Sequence, residues 1–431
     1  MSSQPSVQDQ IDQGPISAAQ FLIVLTALLL NMLDGFDVSA LAFTVHRIGD
    51  DMGIAADQLG LVFSVALAGM MAGAMFLAPL ADILGRRRTI ILSVCVIAAS
   101  TLLTAACENL WQLLPVRAVT GLGVGAMLAS LTTISAEYVP NKYRSLAVVC
   151  ITAGYPLGST VGGAIAAPLM ASYGWQSVFL VAGSATALML IPVLLLIPES
   201  LEYLSRKQPP GALDTINRTL LRVQKEPISV LPPSSGTMER ANVLSLLTPE
   251  RRLKTLTLWA SVFFCLICLY FLLSWIPKLV ISSGLPEATG VYASMAFTAG
   301  STVGTVILGL LAARFGLSLI IGVFLSSASL WMVVFALNAD SFNLLFSLGL
   351  LGFLFASGYT GLYAVAAKIY PTDVRATGVG WAIGLGRFGA VVGPYVGGIL
   401  IAAGVSMEVN FIIFAVPIML GAIMAWRLRV S

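Results

Sequence analysis

Long apolar runs, separated by mostly short polar gaps, follow one another along almost the whole chain. Most runs reach the length of about 20 residues that a helix needs to cross a bilayer. This pattern predicts an all-α integral membrane protein with twelve transmembrane helices. We expect these spans near residues 20–45, 57–80, 89–107, 110–136, 145–170, 176–197, 255–281, 288–313, 317–337, 341–367, 376–403 and 409–426.

The longest polar stretch, residues 198–254, divides the predicted spans into two groups of six. Its prolines and a short amphipathic segment around Leu213 and Leu220 indicate a linker that carries one surface helix. We therefore expect a cytoplasmic tail at 1–19, an N-terminal six-helix half at 20–197, a cytoplasmic linker at 198–254, a C-terminal six-helix half at 255–426 and a cytoplasmic tail at 427–431.

The composition excludes two broad classes of protein. Charged residues make up 10% of the chain and hydrophobic residues 58%, whereas an average soluble domain is about a quarter charged. This excludes a water-soluble globular protein. The net charge is only +3, and the basic residues are scattered through polar gaps, which argues against a nucleic-acid partner. Cys265 and Cys268 lie in an apolar run without a nearby His, so we interpret them as packing residues and expect no metal.

The distribution of cations predicts the orientation in the membrane. Nineteen of the 23 Lys and Arg residues lie after even-numbered spans or in the C-terminal tail, and only Arg47 and Lys278 lie in gaps after odd-numbered spans. Lys and Arg favour the cytoplasmic side of a membrane. Both termini of this multi-pass protein are therefore expected in the cytoplasm, with the chain in the inner (plasma) membrane. The first 20 residues contain no Lys or Arg, so a secretory signal peptide is not expected.

Matching features recur along the chain at one fixed spacing, which we call the repeat offset. It aligns residues 80–85 with 311–316, and it aligns Pro140 and Arg144 with Pro371 and Arg375. Gly121 and Gly158 align in the same way with glycines of the second group of spans. One offset that serves segments so far apart indicates two homologous, pseudo-symmetric six-helix halves. Parallel halves of this kind surround a central cavity in one large class of secondary carriers.

Two acids lie within the first span. Asp34 and Asp37 are three residues apart and therefore share one face of the helix. A charge at the centre of an apolar span costs about 2.5–3.5 kcal/mol on insertion scales, so such residues are usually functional. Burial and the neighbouring like charge both favour the neutral form. We interpret the pair as a proton-coupling site, and the alternative is a structural role with hydrogen bonds to neighbouring helices.

Arg117 and Arg387 are the two cations within spans. A guanidinium can hold a carboxylate through paired hydrogen bonds, so either arginine is a candidate for binding an anionic substrate. The alternative for each is a salt bridge to a buried acid such as Asp34, Asp37 or Glu137. Several aromatic residues are candidates for enclosing a benzene ring, although each is individually also explained by packing. These are Tyr155, Trp275, Tyr359, Tyr363, Trp381 and Tyr395.

The loop after the second span carries a recognisable motif. Its run, Leu80-Ala81-Asp82-Ile83-Leu84-Gly85-Arg86-Arg87-Arg88, resembles the G-x-L-A-D-R-x-G-R-R signature of the major facilitator superfamily, with Ala78 and Ile83 as departures. Asp34-Gly35-Phe36-Asp37 is similar to the D-G-[FY]-D mark of the aromatic acid:proton symporters within that superfamily. Arg117, Glu137, Pro198-Glu199-Ser200, Arg375 and Arg387 also lie where that family carries such residues.

The resemblance implies a secondary transporter and not an enzyme. The expected activity is import of an aromatic carboxylate of the benzoate or hydroxybenzoate class by proton symport with alternating access. Such a carrier needs no cofactor besides the proton gradient and usually works as a monomer in the lipid bilayer. Charges at the cytoplasmic ends of the spans are expected to form a gate that parts between conformations. Its members are Asp82, Gly85, Arg86, Glu137, Arg144 and Arg375.

Other functions remain open from the sequence. The run from Gly389 to Gly398 resembles the glycine-proline pattern of drug:proton antiporters, but those carriers have it in their fifth span, and close helix packing explains it equally well. A carrier of another organic acid is a nearer alternative. A membrane enzyme or a receptor is more distant, because the chain has no nucleophile elbow, metal-ligand spacing or phosphate-binding loop.

Overall fold

The computed structural model describes residues 7–231, 243–338, 343–371 and 374–428, with the backbone alone at positions 244, 313, 367, 375 and 376. The helices are α1 Val7–Asp12, α2 Ala18–Met52, α3 Ala56–Ala72, α4 Ala81–Leu84, α5 Arg86–Thr104, α6 Leu110–Glu137, α7 Asn141–Tyr173, α8 Gln176–Leu188, α9 Leu190–Leu196, α10 Leu201–Lys207, α11 Ala212–Arg222, α12 Arg252–Ser282, α13 Glu287–Phe315, α14 Leu317–Leu337, α15 Leu344–Ile369, α16 Arg375–Ala402 and α17 Met407–Arg427.

Twelve segments of the described chain are long and apolar enough to cross a membrane, which confirms the predicted number. Spans 1 to 12 consist, in order, of α2, α3 with α4, α5, α6, α7, α8 with α9, α12, α13, α14, α15, α16 and α17. An even number of spans places both termini on one face, which we call the terminal face. The other face is called the opposite face. The predicted amphipathic helix is α11, and α1 and α10 lie beside it in the polar segments.

Span 2 changes its winding near the terminal face. A π-helical turn at Gly73–Leu77 and a 3₁₀ turn at Ala78–Leu80 separate α3 from α4. Pro79 contributes to this break because it has no backbone N–H to donate to the preceding turn. Gly85 then ends the span at φ 97°, and Gly316 ends span 8 at φ 92°. Both sharp turns need a residue without a Cβ, and the repeat offset relates one turn to the other.

The packing of the spans repeats between the two halves. In the first half, span 1 packs on span 5, span 2 on span 4, and span 3 on span 6. In the second half, span 7 packs on span 11, span 8 on span 10, and span 9 on span 12. The halves meet through spans 2 and 11 and through spans 5 and 8. The architecture is therefore two pseudo-symmetric six-helix halves, as the internal repeat predicts.

Individual glycine contacts follow the same repeat offset. Gly158 in span 5 lies against the carbonyl of Met32 in span 1, and Gly389 in span 11 lies against the carbonyl of Phe263 in span 7. A Cβ at either position would overlap that carbonyl, so these crossings require glycine. Two further pairs of glycine contacts are related by the repeat offset. Gly69 lies against Ala118, and its counterpart Gly300 lies against Gly349. Gly121 lies against Ala66, and its counterpart Gly352 lies against Phe297.

Candidate functional site

The centre of the first half contains a buried ion pair. Arg117 of span 4 donates to both carboxylate oxygens of Asp37 in span 1, at 2.8 Å to Oδ2 and 3.3 Å to Oδ1. The hydroxyl of Thr101 in span 3 also donates to Oδ1 at 2.7 Å. The side chains of Asp37 and Arg117 are each only 2% exposed. Of the two alternatives for Arg117, the structure therefore shows the salt bridge to a buried acid.

Asp34 lies one helical turn from Asp37 and is in a different situation. It is 3% exposed, and its Oδ2 has no hydrogen-bond partner among the described residues. The nearby amide of Asn31 donates to the carbonyl of Ile151 at 2.5 Å. Within the described chain, Asp34 is thus a buried carboxyl without a cation.

A small cavity lies between the two halves next to this pair. It measures about 30 Å³, and spans of both halves contribute to its wall. The lining residues include Asp37, Phe63, Arg117, Tyr155, Tyr270 and Ser274. An apolar cavity needs about 150 Å³ to hold benzene, and a single water needs about 10–15 Å³. In this conformation the cavity has room for water but not for an aromatic ring.

Arg387 of span 11 is half-buried on the side of the second half. It makes no hydrogen bond or ion pair with any residue that the structure describes. Its guanidinium acts electrostatically on the phenol groups of Tyr155, Tyr270 and Tyr363. Guanidinium and phenol groups can both donate hydrogen bonds to a carboxylate.

The other predicted aromatic residues are used in different ways. Trp275 is fully buried, donates its indole N–H to the carbonyl of Pro394 at 2.8 Å and packs edge-on against Phe63. Tyr359 and Tyr363 contact each other through their hydroxyls, with ring centroids 5.2 Å apart. Trp381 is 40% exposed and lies beside Trp259, farther toward the terminal face.

Tyr270 is a cavity residue that the sequence reasoning missed. The repeat offset pairs it with Ser39, which also lines the cavity, so the internal repeat contained the signal that would have found it. The same offset places Cys265 and Cys268 at the positions of Asp34 and Asp37. Both cysteines are fully buried. The second half thus has thiols where the first half has carboxyls.

A polar network at the terminal face joins spans 2, 3, 4 and the linker. Arg86 contacts Glu137 directly, approaches Asp82 at 3.8 Å and reaches Glu202 at 3.3 Å. The predicted gate residues Asp82, Arg86 and Glu137 are thus brought together. Arg144 lies close by and donates to the carbonyl of Ala136 at 3.0 Å, whereas the side chain of Arg375 is outside the described residues.

Glu199 fixes the end of span 6 to the start of span 3. Its carboxylate accepts from the backbone N–H groups of Arg87 and Ser200, at 3.1 Å and 2.9 Å, and lies directly against Gly85. An added Cβ at Gly85 would collide with this carboxylate. Burial raises the pKa of the Tyr138 hydroxyl well above its ordinary value, so this hydroxyl remains protonated and donates to the carbonyl of Glu199 at 2.6 Å.

Two six-helix halves around a central polar site are the arrangement of a secondary membrane transporter. A sequence model described as the Major Facilitator Superfamily matches residues 27–336 and 292–431. The chain belongs to this superfamily, and it is a multi-pass membrane transporter and not an enzyme.

Several curated relatives match nearly the whole chain. It is 32% identical to a "Gallate transporter" of Pseudomonas putida over 418 residues, which cover 95% of this chain and 92% of the relative. It is 31% identical to the "4-hydroxybenzoate transporter PcaK" of the same organism, with coverage of 97% and 94%. A "Benzoate transport protein" of Acinetobacter baylyi is 28% identical, with coverage of 98% and 92%.

Solved structures have the same fold at low identity. The inward open conformation of the xylose transporter XylE from Escherichia coli aligns with a TM-score of 0.74 at 16% identity, covering 95% of this chain and 96% of that one. A bacterial homolog of the human lysosomal transporter Spinster, in an inward-facing conformation, aligns with a TM-score of 0.73 at 17% identity, covering 95% and 97%. These likenesses confirm the predicted fold class.

Proposed function

We propose that the protein imports an aromatic carboxylate of the benzoate or hydroxybenzoate class together with protons, by alternating access. The observation that carries this proposal is a buried acid, Asp34, in the same central region as a cation, Arg387, neither of which has an ion-pair partner among the described residues. Relatives of about 30% identity that are named as gallate, 4-hydroxybenzoate and benzoate transporters favour an aromatic acid as the cargo.

Asp34 is the proposed proton carrier of the pair. Asp37 already has a cation and a hydroxyl donor as its partners. Asp34 has neither among the described residues, so ionising it inside the closed protein is costly. In a conformation that admits water, the same carboxyl can release its proton. Arg117 is engaged in the ion pair with Asp37 and is therefore not available to bind the cargo.

Arg387 is the proposed site of the carboxylate of the cargo. Its guanidinium can donate two parallel hydrogen bonds, and the phenols of Tyr155, Tyr270 and Tyr363 can donate further ones. Their aromatic rings provide apolar surface for the benzene ring of the cargo. The cavity of about 30 Å³ must enlarge severalfold to accept such a ring, so binding requires the two halves to move.

Charge neutralisation links proton binding at Asp34 to cargo binding at Arg387. A proton on Asp34 and an anion on Arg387 remove two uncompensated charges from the centre, which lowers the cost of closing the cavity around the cargo. The halves then rock, the network around Arg86 and Glu137 rearranges, and cargo and proton leave together. We place the terminal face in the cytoplasm on the strength of the cation distribution. By analogy with carriers of this architecture, we place the chain in the inner membrane as a monomer.

The proton gradient sets the accumulation that this mechanism can reach. One pH unit supplies about 1.4 kcal/mol per proton, enough for about tenfold accumulation. The membrane potential adds about 2.3 kcal/mol per 100 mV for each net charge moved. An anion that moves with a single proton carries no net charge, so the potential contributes only if a second proton accompanies it.

The test is uptake into proteoliposomes with an imposed pH gradient. The panel contains benzoate, hydroxybenzoates, protocatechuate, gallate and cinnamates, with nicotinate and quinate as other organic acids and a lipophilic cation as an efflux cargo. We expect accumulation of at least one aromatic acid that collapses when a protonophore removes the gradient. Uptake that ignores the gradient, or gradient-driven exchange of the lipophilic cation alone, would refute the proposal.

The antiporter alternative receives little support from the glycines of span 11. Gly389 and Gly393 lie against the backbone of span 7 in the same half, at Phe263 and Ile267. Close packing of neighbouring helices accounts for both positions.

A further inference from the structure

A second cavity lies at the terminal face and shares no lining residue with the central cavity. Its wall is formed by α1, the end of span 4, the start of span 5 and α10, which belong to the first half or to the polar segments beside it. Its volume is about 340 Å³, whereas a cavity of about 150 Å³ is enough for a benzene ring. In this conformation an aromatic acid thus fits here and not in the central cavity.

Arg144 at the start of span 5 supplies a cation to this cavity. Its Nε donates to the carbonyl of Ala136 at 3.0 Å, and the side chain makes no other hydrogen bond or ion pair with the residues that the structure describes. The two terminal nitrogens of the guanidinium are therefore not engaged by the described chain. Together they can donate paired hydrogen bonds to a carboxylate.

Two acids in the wall already have cations of their own. Glu137 contacts Arg86 and accepts from the backbone N–H of Glu202 at 3.3 Å. Glu202 pairs with Arg86 and with Arg206, at 3.3 Å in each case. These cations offset the negative charges of the wall, so an anion that enters the cavity can be bound by Arg144.

The rest of the wall suits a ring that carries hydroxyl groups. Val7 and Leu201 are buried apolar side chains, and they offer apolar surface to a ring. The hydroxyl of Thr133 already donates to the carbonyl of Ala129 at 2.8 Å, so it can only accept a further hydrogen bond, whereas the hydroxyl of Ser205 can donate or accept one. A cation, apolar surface and hydroxyl groups thus surround one space of ligand size.

We propose that this cavity, which we call the Arg144 site, is a second binding site for an aromatic carboxylate, separate from the central site at Arg387. The carboxylate of the ligand lies on the guanidinium of Arg144, and the ring lies on the apolar part of the wall. The terminal face is the side on which the proposed function releases its cargo, so released cargo is the source of the ligand. The identity of the ligand rests on that proposed function, but binding at the Arg144 site does not require transport.

The test measures how benzoate and 4-hydroxybenzoate protect a cysteine reporter, Ser205→Cys, from a maleimide. Ser205 lines the cavity and is partly exposed, so the reporter should react when no acid is present. The full-length protein is labelled in detergent, and labelling of the same protein without the reporter is subtracted. We expect each acid to slow labelling in a saturable manner. Lys207→Cys is the matched reporter, because Lys207 is an exposed residue of the same helix outside the lining. Slowing that is equal at both reporters would overturn the proposal.

Variants of Arg144 test the cation directly. Arg144→Gln should raise the concentration of acid that gives half-maximal protection about tenfold or more, because hydrogen bonds to a charged group are lost. Arg144→Lys keeps the charge without the fork and should give an intermediate value. Lys142→Gln is the matched control, since it removes an exposed cation from the start of the same span, outside the lining. Half-protecting concentrations that are equal for Arg144→Gln and Lys142→Gln would overturn the role of Arg144.

Two further arms examine the ligand and the independence of the site. Acetate has the carboxylate without the ring, so at least about tenfold more acetate should be needed for protection, and equal potency would overturn the aromatic class of the ligand. Arg387→Lys should leave the half-protecting concentration unchanged, and a rise as large as that of Arg144→Gln would overturn the separateness of the two sites.

The outcomes distinguish this inference from the proposed function. A protein that accumulates aromatic acids while none of them protects Ser205→Cys would overturn the Arg144 site and leave the proposed function standing. Protection that depends on Arg144, in a protein that accumulates no aromatic acid in proteoliposomes, would refute the proposed function and support binding at the Arg144 site.

Discussion

Replacing Asp34 by Asn removes the proposed proton carrier while nearly preserving its shape. Asp34 makes no ion pair among the described residues, so the amide leaves no charge behind and the protein should fold as well as the wild type. With an inward gradient of one pH unit and one proton per cargo, the wild type should accumulate cargo about tenfold. The Asp34→Asn variant should reach equal concentrations on both sides and still exchange labelled for unlabelled cargo.

Asp37→Asn provides the contrast on the same helix. It leaves Arg117 buried at 2% exposure with one of its two hydrogen bonds to residue 37 lost, and breaking such a pair costs about 3–5 kcal/mol. We expect a clearly lower thermal unfolding temperature for this variant only. The assay compares proteoliposome loading, counterflow exchange and thermal unfolding for both variants. Tenfold loading by Asp34→Asn would refute its role, and an unchanged unfolding temperature for Asp37→Asn would refute the importance of the ion pair.

Three further outcomes are expected. Arg387→Lys replaces a bidentate donor by a point charge, so the apparent KM for cargo should rise about tenfold or more, and an unchanged KM in the uptake assay would contradict carboxylate binding there. Tyr270→Phe removes one hydroxyl donor and should raise the same KM about fivefold. Tyr173→Phe is its control, because Tyr173 is 77% exposed and was not a candidate for cargo binding, and equal effects would exclude a role for Tyr270. Glu199→Gln removes the negative charge at the N-terminus of span 3, which stabilises the helix by about 0.3–1 kcal/mol. Thermal unfolding should therefore occur at a slightly lower temperature while cargo uptake persists. Lost uptake would contradict a purely structural role.

The number and order of the spans could be predicted because the bilayer imposes a length on every apolar run. The equivalence of the two halves also followed from the sequence, and the repeat offset recurs in the contacts of Gly158 and Gly389. The breaks inside span 2 were less accessible. The π-helical turn at Gly73–Leu77 depends on how the span packs, and composition gives no sign of it.

The central site was only partly predictable. Periodicity placed Asp34 and Asp37 on one face of a helix, but it did not identify which acid meets Arg117, because that choice depends on the packing of spans 1, 3 and 4. Tyr270 was not predicted as a site residue, for a different reason. It carries no charge, so nothing marked it within an apolar run, and only its position in the repeat distinguishes it from a packing residue.

The thiols at Cys265 and Cys268 have a consequence for the evolution and redesign of this protein. The scaffold was duplicated, yet the second copy has cysteines at the positions of Asp34 and Asp37, so the proposed proton carrier Asp34 and the proposed carboxylate-binding Arg387 lie in different copies. Substitutions around Arg387 and Tyr270 are expected to retune which compound is accepted without altering what drives its entry. A swap of whole halves with a relative is then expected to produce a chimaera whose energy coupling comes from one parent and whose cargo specificity comes from the other.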